Sequence, residues 1–148
     1  MYRRILVPLD GSARAESILK HVEGLAAGGN TTVIFMQVVQ DTVVSDGYKS
    51  IQFQQSKEIS EKKAAEAESY LSAIAGVFRE KGIKTRKIVE NGSVVAAILR
   101  VAQREAADLI AMASHGRGGL SRVFYGSVAA GILQAIDRPL LLIRSRQA

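Results

Sequence analysis

A glycine-rich segment, ASHGRGGLSRVFYGS (residues 113–127), carries the residues best suited to chemistry in this chain. It holds four glycines, three serines, two arginines and one of the two histidines, and it directly follows the apolar run DLIAM. Glycines let backbone N–H groups approach a ligand closely, and the free N–H groups at a helix N-terminus attract anions. If a helix begins at Gly126-Ser127, the segment is a phosphate-binding loop, with the Ser127 hydroxyl capping the helix or contacting phosphate. An ordinary surface loop with a helix cap is the alternative.

Several other phosphate-site and catalytic patterns are absent from the sequence. No Gly-Lys-Ser/Thr occurs, which excludes a P-loop NTPase, and no G-x-G-x-x-G follows the first predicted strand, which argues against a dinucleotide site. A general base needs a partner that orients it, and the sequence offers none for His115. We therefore expect His115 to shape the loop or lie near phosphate, and Arg117 to pair with phosphate or stay exposed.

Strand and helix patterns alternate along the whole chain and predict how the loop is positioned. Apolar runs predict strands at residues 3–9, 31–39, 83–89, 108–113 and 139–143. Amphipathic patterns predict one helix carrying Ala15 to Ala26, another over about residues 57–81, one after Asn91-Gly92-Ser93, and one from Ser127 to about Asp137. Strands that are apolar on both faces indicate a parallel sheet covered by helices on both sides, in a single domain of residues 1–148.

The end of the first strand is the second place where the sequence predicts a binding site. Open parallel sheets bind ligands beyond the carboxyl ends of their strands. Asp10 follows the first strand, and the glycine-rich segment follows the fourth. Asp10 is therefore predicted to face the site, although it could serve only as the cap of the first helix. The connection of residues 40–56 is long and contains apolar residues, and we expect it to be a flap beside the site that orders on binding.

Composition narrows the class of protein further. The chain has 148 residues, 47% of them hydrophobic and 23% charged, with a net charge of +6 and no cysteine. The absence of cysteine excludes disulfides, thiolate metal sites and a cysteine nucleophile. The apolar runs are too short to span a bilayer, and the positive charges are scattered without interleaved aromatic residues. We expect a cytoplasmic protein that binds neither membranes nor nucleic acid.

Three stretches of the sequence together resemble the universal stress protein family: ILVPLDGS, ASHGRGGLSRVFYGSVA and RPLLLI. The resemblance covers the whole chain and implies an open sheet of five parallel strands in the order 3-2-1-4-5, with a Rossmann-like arrangement of helices. ATP-binding members of the family carry G-x-x-G, nine residues, and then G-[ST]. Here that spacing falls on Ala113, Gly116 and Gly126-Ser127, so alanine stands where the pattern has its first glycine.

The resemblance implies ATP as the ligand, with Mg²⁺ or Mn²⁺ as ions that could accompany it. The residues implied to bind the nucleotide are Pro8, Leu9, Asp10, Val38, Ala113, Ser114, His115, Gly116, Arg117, Gly118, Gly119, Gly126, Ser127 and Val128. The expected function is that of a stress-response signalling module in which nucleotide occupancy is the switch. Phosphoryl transfer needs positioned groups that the loop lacks, so we expect no enzyme and at most slow hydrolysis.

Two other functions are compatible with the same residues. A nucleotide-free dimeric scaffold would result if Ala113 blocked the pocket. An adenine-nucleotide hydrolase would need catalytic carboxylates or lysines around the loop, and the sequence lacks them there.

The strand order implied by the resemblance leaves the third and fifth strands at the edges of the sheet. The third carries Lys84, Arg86 and Lys87, and such charges protect an edge against pairing. The fifth consists of Leu140, Leu141, Leu142 and Ile143 after Pro139. An unprotected apolar edge favours a homodimer in which two copies of this strand pair across a two-fold axis.

Overall fold

A five-stranded parallel sheet forms the centre of the fold. The computed structural model describes residues 1–40, 50–114 and 126–145. The strands are β1 (Arg4–Pro8), β2 (Thr32–Val39), β3 (Lys84–Asn91), β4 (Leu109–Ser114) and β5 (Leu140–Arg144). The helices are α1 (Ala13–Glu16), α2 (Leu19–Ala26), α3 (Ser50–Glu80), α4 (Val94–Arg104) and α5 (Ser127–Ala135). All paired strands are parallel and their order is β3-β2-β1-β4-β5, which confirms the predicted topology.

The central strand β1 is covered on both of its faces. Ile5, Leu6 and Val7 are each 0% exposed. Side chains alternate between the two faces of a strand. Ile5 and Val7 pack in one apolar cluster with residues of α1, α2 and α3. Leu6 packs in a second cluster with residues of α4 and α5. This two-sided burial confirms the predicted layers. None of the helices in the described ranges is both long enough and apolar enough to cross a membrane.

The first predicted helix is interrupted, so the prediction of one continuous helix was wrong. α1 begins after Ser12, whose Oγ accepts a hydrogen bond from the Ala15 N–H at 3.1 Å, and α2 begins only at Leu19. Between them the Ser17 hydroxyl donates to the Arg14 carbonyl oxygen at 2.7 Å. A serine side chain that bonds to a nearby carbonyl competes with the regular helix pattern, which accounts for the break.

The third helix is longer than predicted. α3 begins at Ser50, so residues 50–56 are helical and do not belong to a connecting segment. The sequence SIQFQQSK has no glycine or proline, and its glutamines and lysine are good helix formers. Residues 41–49, the rest of the predicted flap, lie outside the described part of the chain.

The cations of edge strand β3 connect it to helices on both faces of the sheet. The Lys87 Nζ lies 2.7 Å from Glu68 on α3, and the Arg86 Nη1 lies 2.6 Å from Glu105 beside α4. At the end of the strand, the Glu90 carboxylate lies 3.0 Å from the Arg104 guanidinium. The charges that protect this edge therefore also hold α3 and α4 in place.

The contact between α4 and α5 requires a glycine. A Cβ at Gly131 of α5 would lie 2.7 Å from the Val95 Cγ2 of α4, whereas a Cβ at Gly24 of α2 would have nothing within 4 Å. A β-branched side chain in a helix has little rotamer freedom, so Val95 cannot turn away. The close approach of the two helices therefore depends on the missing side chain.

We predict that Gly131→Ala destabilises the protein and that Gly24→Ala does not. Alanine gains about 1 kcal/mol of helix propensity at either position, but overpacking at Gly131 costs about 1–3 kcal/mol. Thermal and denaturant unfolding of both variants measures the difference. Equal stabilisation by the two substitutions would show that α4 and α5 separate readily.

A second prediction concerns pH. The hydrogen bond from Arg104 is the main cause that lowers the pKa of Glu90 below its ordinary value of 4.5, and Arg100 acts in the same direction. A carboxylate whose pKa is lower in the folded state than in the unfolded state stabilises the fold at pH values above its unfolded-state pKa. This stabilisation is lost as the pH falls through the folded-state pKa.

Glu90→Gln should therefore reduce the free energy of unfolding at pH 7 by about 1 kcal/mol. The difference from the parent protein should shrink as the pH falls below 4.5. Urea unfolding at several pH values measures it, with Glu61→Gln, at an exposed position of α3, as control. A difference independent of pH would contradict an ionic origin.

Candidate functional site

A cavity opens at the carboxyl ends of β1 and β4, where the binding site was predicted. Its enclosed part has a volume of about 100 Å³, and the space extends to about 530 Å³ when the solvent at its opening is included. Its lining residues are Pro8, Leu9, Asp10, Arg14, Ala15, Val94, Ile98, Met112, Ala113, Gly126, Ser127, Val128 and Ala129. They come from two strand ends, α1 and the first turns of α4 and α5.

The structure brings together most of the predicted site residues that it describes. Seven of them line the cavity: Pro8, Leu9, Asp10, Ala113, Gly126, Ser127 and Val128. Val38 and Ser114 are not part of this wall. The remaining predicted residues, His115, Gly116, Arg117, Gly118 and Gly119, lie outside the described residues.

Val38 belongs to a neighbouring cavity. It lies at the end of β2 with Gly11 and Tyr70, and Val94 lines both cavities. The Tyr70 hydroxyl donates to Glu16 Oε2 at 2.7 Å, which joins α3 to α1. Burial, followed by this hydrogen bond and the charge of Glu16, raises the pKa of Tyr70. The tyrosine therefore remains a hydrogen-bond donor that holds α1 beside the site.

The N-terminus of α5 forms one wall of the cavity. Gly126 is its N-cap, with φ 86° and ψ 156°, and as a glycine it has no side chain that could cap the helix. This backbone region is almost restricted to glycine. The prediction that Ser127 could cap the helix was wrong, because Ser127 is its first residue. The first intrahelical bond runs from the Ala130 N–H to the Gly126 carbonyl at 3.0 Å, so the N–H groups of the preceding turn can bind an acceptor from the ligand.

Asp10 lines the same cavity and belongs to a local hydrogen-bond network. Its Oδ1 accepts from the backbone N–H of Ser12 at 2.9 Å and from the Ser12 Oγ at 2.6 Å, and its Oδ2 lies 3.3 Å from the Arg14 Nη2. The alternative that Asp10 only caps the first helix was wrong, because Ser12 is the cap. These bonds fix the carboxylate at the edge of the cavity.

Ser114 is a buried hydroxyl close to the site. It is 2% exposed, and its Oγ has no hydrogen-bond partner among the described residues. Alternation along β4 places it on the same face as Met112, which lines the cavity. A buried polar group normally has a partner, and within the described part of the chain this hydroxyl is an unpaired group behind the cavity wall and not part of it.

Six lining residues were missed by the sequence prediction: Arg14, Ala15, Val94, Ile98, Met112 and Ala129. Two signals could have identified some of them. Arg14 follows Asp10 by four residues, a spacing that pairs side chains on a helix. Val94 and Ile98 begin the apolar face of the helix that follows the third strand. The other three match ordinary core positions.

The donor set around the cavity suits an anion better than a metal ion held by protein alone. Asp10 is the one carboxylate among the described lining residues. In the described ranges no group of three or more histidine, cysteine, aspartate or glutamate side chains could hold a metal ion. A divalent cation at this site would therefore need ligands from the bound molecule and from water.

The fold and the site together define an open α/β protein with a ligand crevice where the strand order reverses. The model of the "Universal stress protein family" matches residues 1–144. The chain belongs to this family.

A curated relative and a solved structure support the same class. "Universal stress protein MJ0577" from Methanocaldococcus jannaschii is 26% identical, with 100% of this chain and 98% of the relative covered. A solved structure of a protein called MJ0577 superposes with a TM-score of 0.83 at 28% identity, covering 100% of this chain and 99% of the other.

Two more distant structures were solved with nucleotides. One is a universal stress protein in complex with cAMP, and the other is an Arabidopsis thaliana protein of the family with AMP bound. Each superposes on this chain with a TM-score of 0.60 at 15% identity. Each alignment covers 97% of this chain, together with 98% of the cAMP complex and 92% of the Arabidopsis protein. At this identity the likeness extends to the fold alone.

Proposed function

We propose that this protein binds ATP in the cavity at the carboxyl ends of β1 and β4 and that nucleotide occupancy is its signal. The observation that carries the proposal is the wall formed by the N-terminus of α5, whose N-cap Gly126 has no side chain and adopts a backbone conformation almost restricted to glycine. Free N–H groups and the helix dipole at such a terminus favour phosphate.

The other lining residues suit the remaining parts of a nucleotide. Pro8, Leu9, Val94 and Met112 offer an apolar surface for a base. The Asp10 carboxylate can accept hydrogen bonds from ribose hydroxyls. The cAMP and AMP found in two proteins of the same fold are adenine nucleotides, which supports the ligand class.

Binding without efficient catalysis is the chemistry we propose for this site. Phosphoryl transfer requires a positioned nucleophile and metal ions at the transferred phosphate. Asp10, the carboxylate of the described wall, is already engaged with Ser12 and Arg14. We therefore propose a cytoplasmic stress-response module that hydrolyses ATP slowly, if at all. Mg²⁺ or Mn²⁺ would enter the site only together with the nucleotide.

Ala113 provides the test of the site. It is 8% exposed and lines the cavity at the end of β4, where the family pattern has glycine. Ala113→Val should fill the cavity and weaken ATP binding by more than about tenfold, since misplacing a charged hydrogen-bonded group costs about 1.5–3 kcal/mol. Ala113→Gly should bind at least as tightly as the parent. Isothermal titration calorimetry measures both affinities.

Thermal unfolding of the ligand-free variants is the control, because both must remain folded for the comparison to hold. Mass spectrometry of small molecules released from freshly purified parent protein tests the ligand directly. Absence of nucleotide, together with no ATP binding by the parent or by Ala113→Gly, would contradict the proposal. It would favour the nucleotide-free scaffold.

We further propose that the protein is a homodimer through β5. Leu140, Leu141, Leu142 and Ile143 are only partly buried at this edge of the sheet. The Ile110 N–H donates to the Pro139 carbonyl at 3.0 Å, and the Ser145 N–H donates to the Ser114 carbonyl at 3.2 Å. Since N–H groups alternate sides along a strand, the Leu142 N–H points away from β4. A second copy can pair with it.

Leu142→Pro should convert the dimer to a monomer, because proline removes that outward N–H while an edge strand tolerates the ring. Leu142→Ala loses a similar side chain but keeps the donor, and we expect it to remain dimeric. Light scattering at micromolar protein measures the masses. A monomeric parent protein would overturn the proposed dimer.

A further inference from the structure

Arg14 is a cation that the predicted site did not include. It lies on α1, lines the cavity, and has a side chain only 22% exposed. A guanidinium has five N–H donors and is always charged. The contact to Asp10, 3.3 Å from Nη2 to Oδ2, is the one interaction that the Arg14 side chain makes with the described residues.

The position of Arg14 is held by the turn that precedes it. Ser12 caps α1 and donates two hydrogen bonds to Asp10 Oδ1, which leaves Oδ2 facing Arg14. One carboxylate oxygen therefore fixes the turn and the other holds the guanidinium. Among the described residues, Nη2 is the guanidinium nitrogen that has a partner, so Nε and Nη1 keep their donors for a ligand.

The N-terminus of α5 gives the cavity a positive potential. Arg14 and Asp10 are the one cation and the one acidic side chain of the described wall, and their charges balance in the ion pair. A planar guanidinium can form two parallel hydrogen bonds to a phosphate group. A second anionic group on the ligand would accept hydrogen bonds from the guanidinium N–H groups of Arg14 that do not bind Asp10.

We propose that Arg14 contacts the phosphate chain of the ligand and sets the preference of the site for polyphosphates over the monophosphate and the nucleoside. This inference rests on the proposed nucleotide site and assigns it a specificity-determining residue. Arg14 and the α5 N-terminus hold different phosphate groups of one ligand, so each added phosphate strengthens binding.

The experiment compares the affinities of adenosine, AMP and ATP, each in the presence of EDTA so that no metal ion contributes. Arg14→Gln should weaken ATP binding about tenfold to a hundredfold, as expected for a lost charged hydrogen bond, and leave adenosine binding within about twofold. Arg14→Lys keeps the charge but loses the planar fork, and we expect an intermediate loss.

Lys20→Gln is the matched control. Lys20 is an exposed cation of the next helix and is not part of the cavity wall. It should bind all three compounds like the parent. Equal losses of ATP affinity in Arg14→Gln and Lys20→Gln would show a general charge effect and overturn the contact.

The outcomes separate this inference from the proposed function. ATP binding by the parent with unchanged affinity in Arg14→Gln overturns the role of Arg14 and leaves the nucleotide site intact. Equal weakening of ATP and adenosine shows that Arg14 only positions Asp10, and it also overturns the inference. A parent protein that binds none of the three compounds contradicts the nucleotide site and the role of Arg14 with it.

Discussion

The burial of β1 on both faces is the constraint on which the rest of the structure depends. Ile5, Leu6 and Val7 have no exposed surface, so the helices must cover both sides of the sheet. The helix that follows β1 packs on one face, where Ala15 joins the core, and the helix that follows β4 packs on the other, with Ala129. Because these two connections leave adjacent strand ends in opposite directions, a crevice opens between them.

The electrostatics of that crevice follow from how its two sides are built. One side is a helix N-terminus whose cap, Gly126, offers no side chain to satisfy the backbone donors. The other is a short turn in which Asp10 is bonded to Ser12 and Arg14. The acidic group is thereby used locally, and the remaining potential is positive. Such a wall suits the binding of an anion, and it lacks the several free carboxylates that a catalytic metal centre would need.

Both edge strands of the sheet have unpaired backbone N–H and C=O groups, and the side chains around these groups differ between the two edges. On β3, Arg86 and Lys87 form ion pairs with Glu105 and Glu68, and these pairs also tie helices from both faces to the strand. On β5, partly buried leucines and an isoleucine form the edge. The charges of β3 protect that edge against pairing with another chain. The apolar β5 has no such charges over residues 140–143, and it is the edge at which we propose that a second copy binds.

The sequence alone was sufficient to predict the alternation of strands and helices and the parallel sheet, because these features follow from the local hydrophobic period. It also placed the site beyond the first and fourth strands, where Asp10 and Gly126 line one cavity. The resemblance to a family supplied the strand order. The break after α1 and the start of α3 at Ser50 have local causes that the predicted helix bounds missed: a serine hydroxyl bonded to a nearby carbonyl, and a run of helix-forming residues. Tertiary structure decided the contact of Gly131 with Val95. It also decided that Arg14 lines the cavity. These two features depend on where a helix or a long side chain lies relative to distant elements, and no local pattern in the chain encodes such distances.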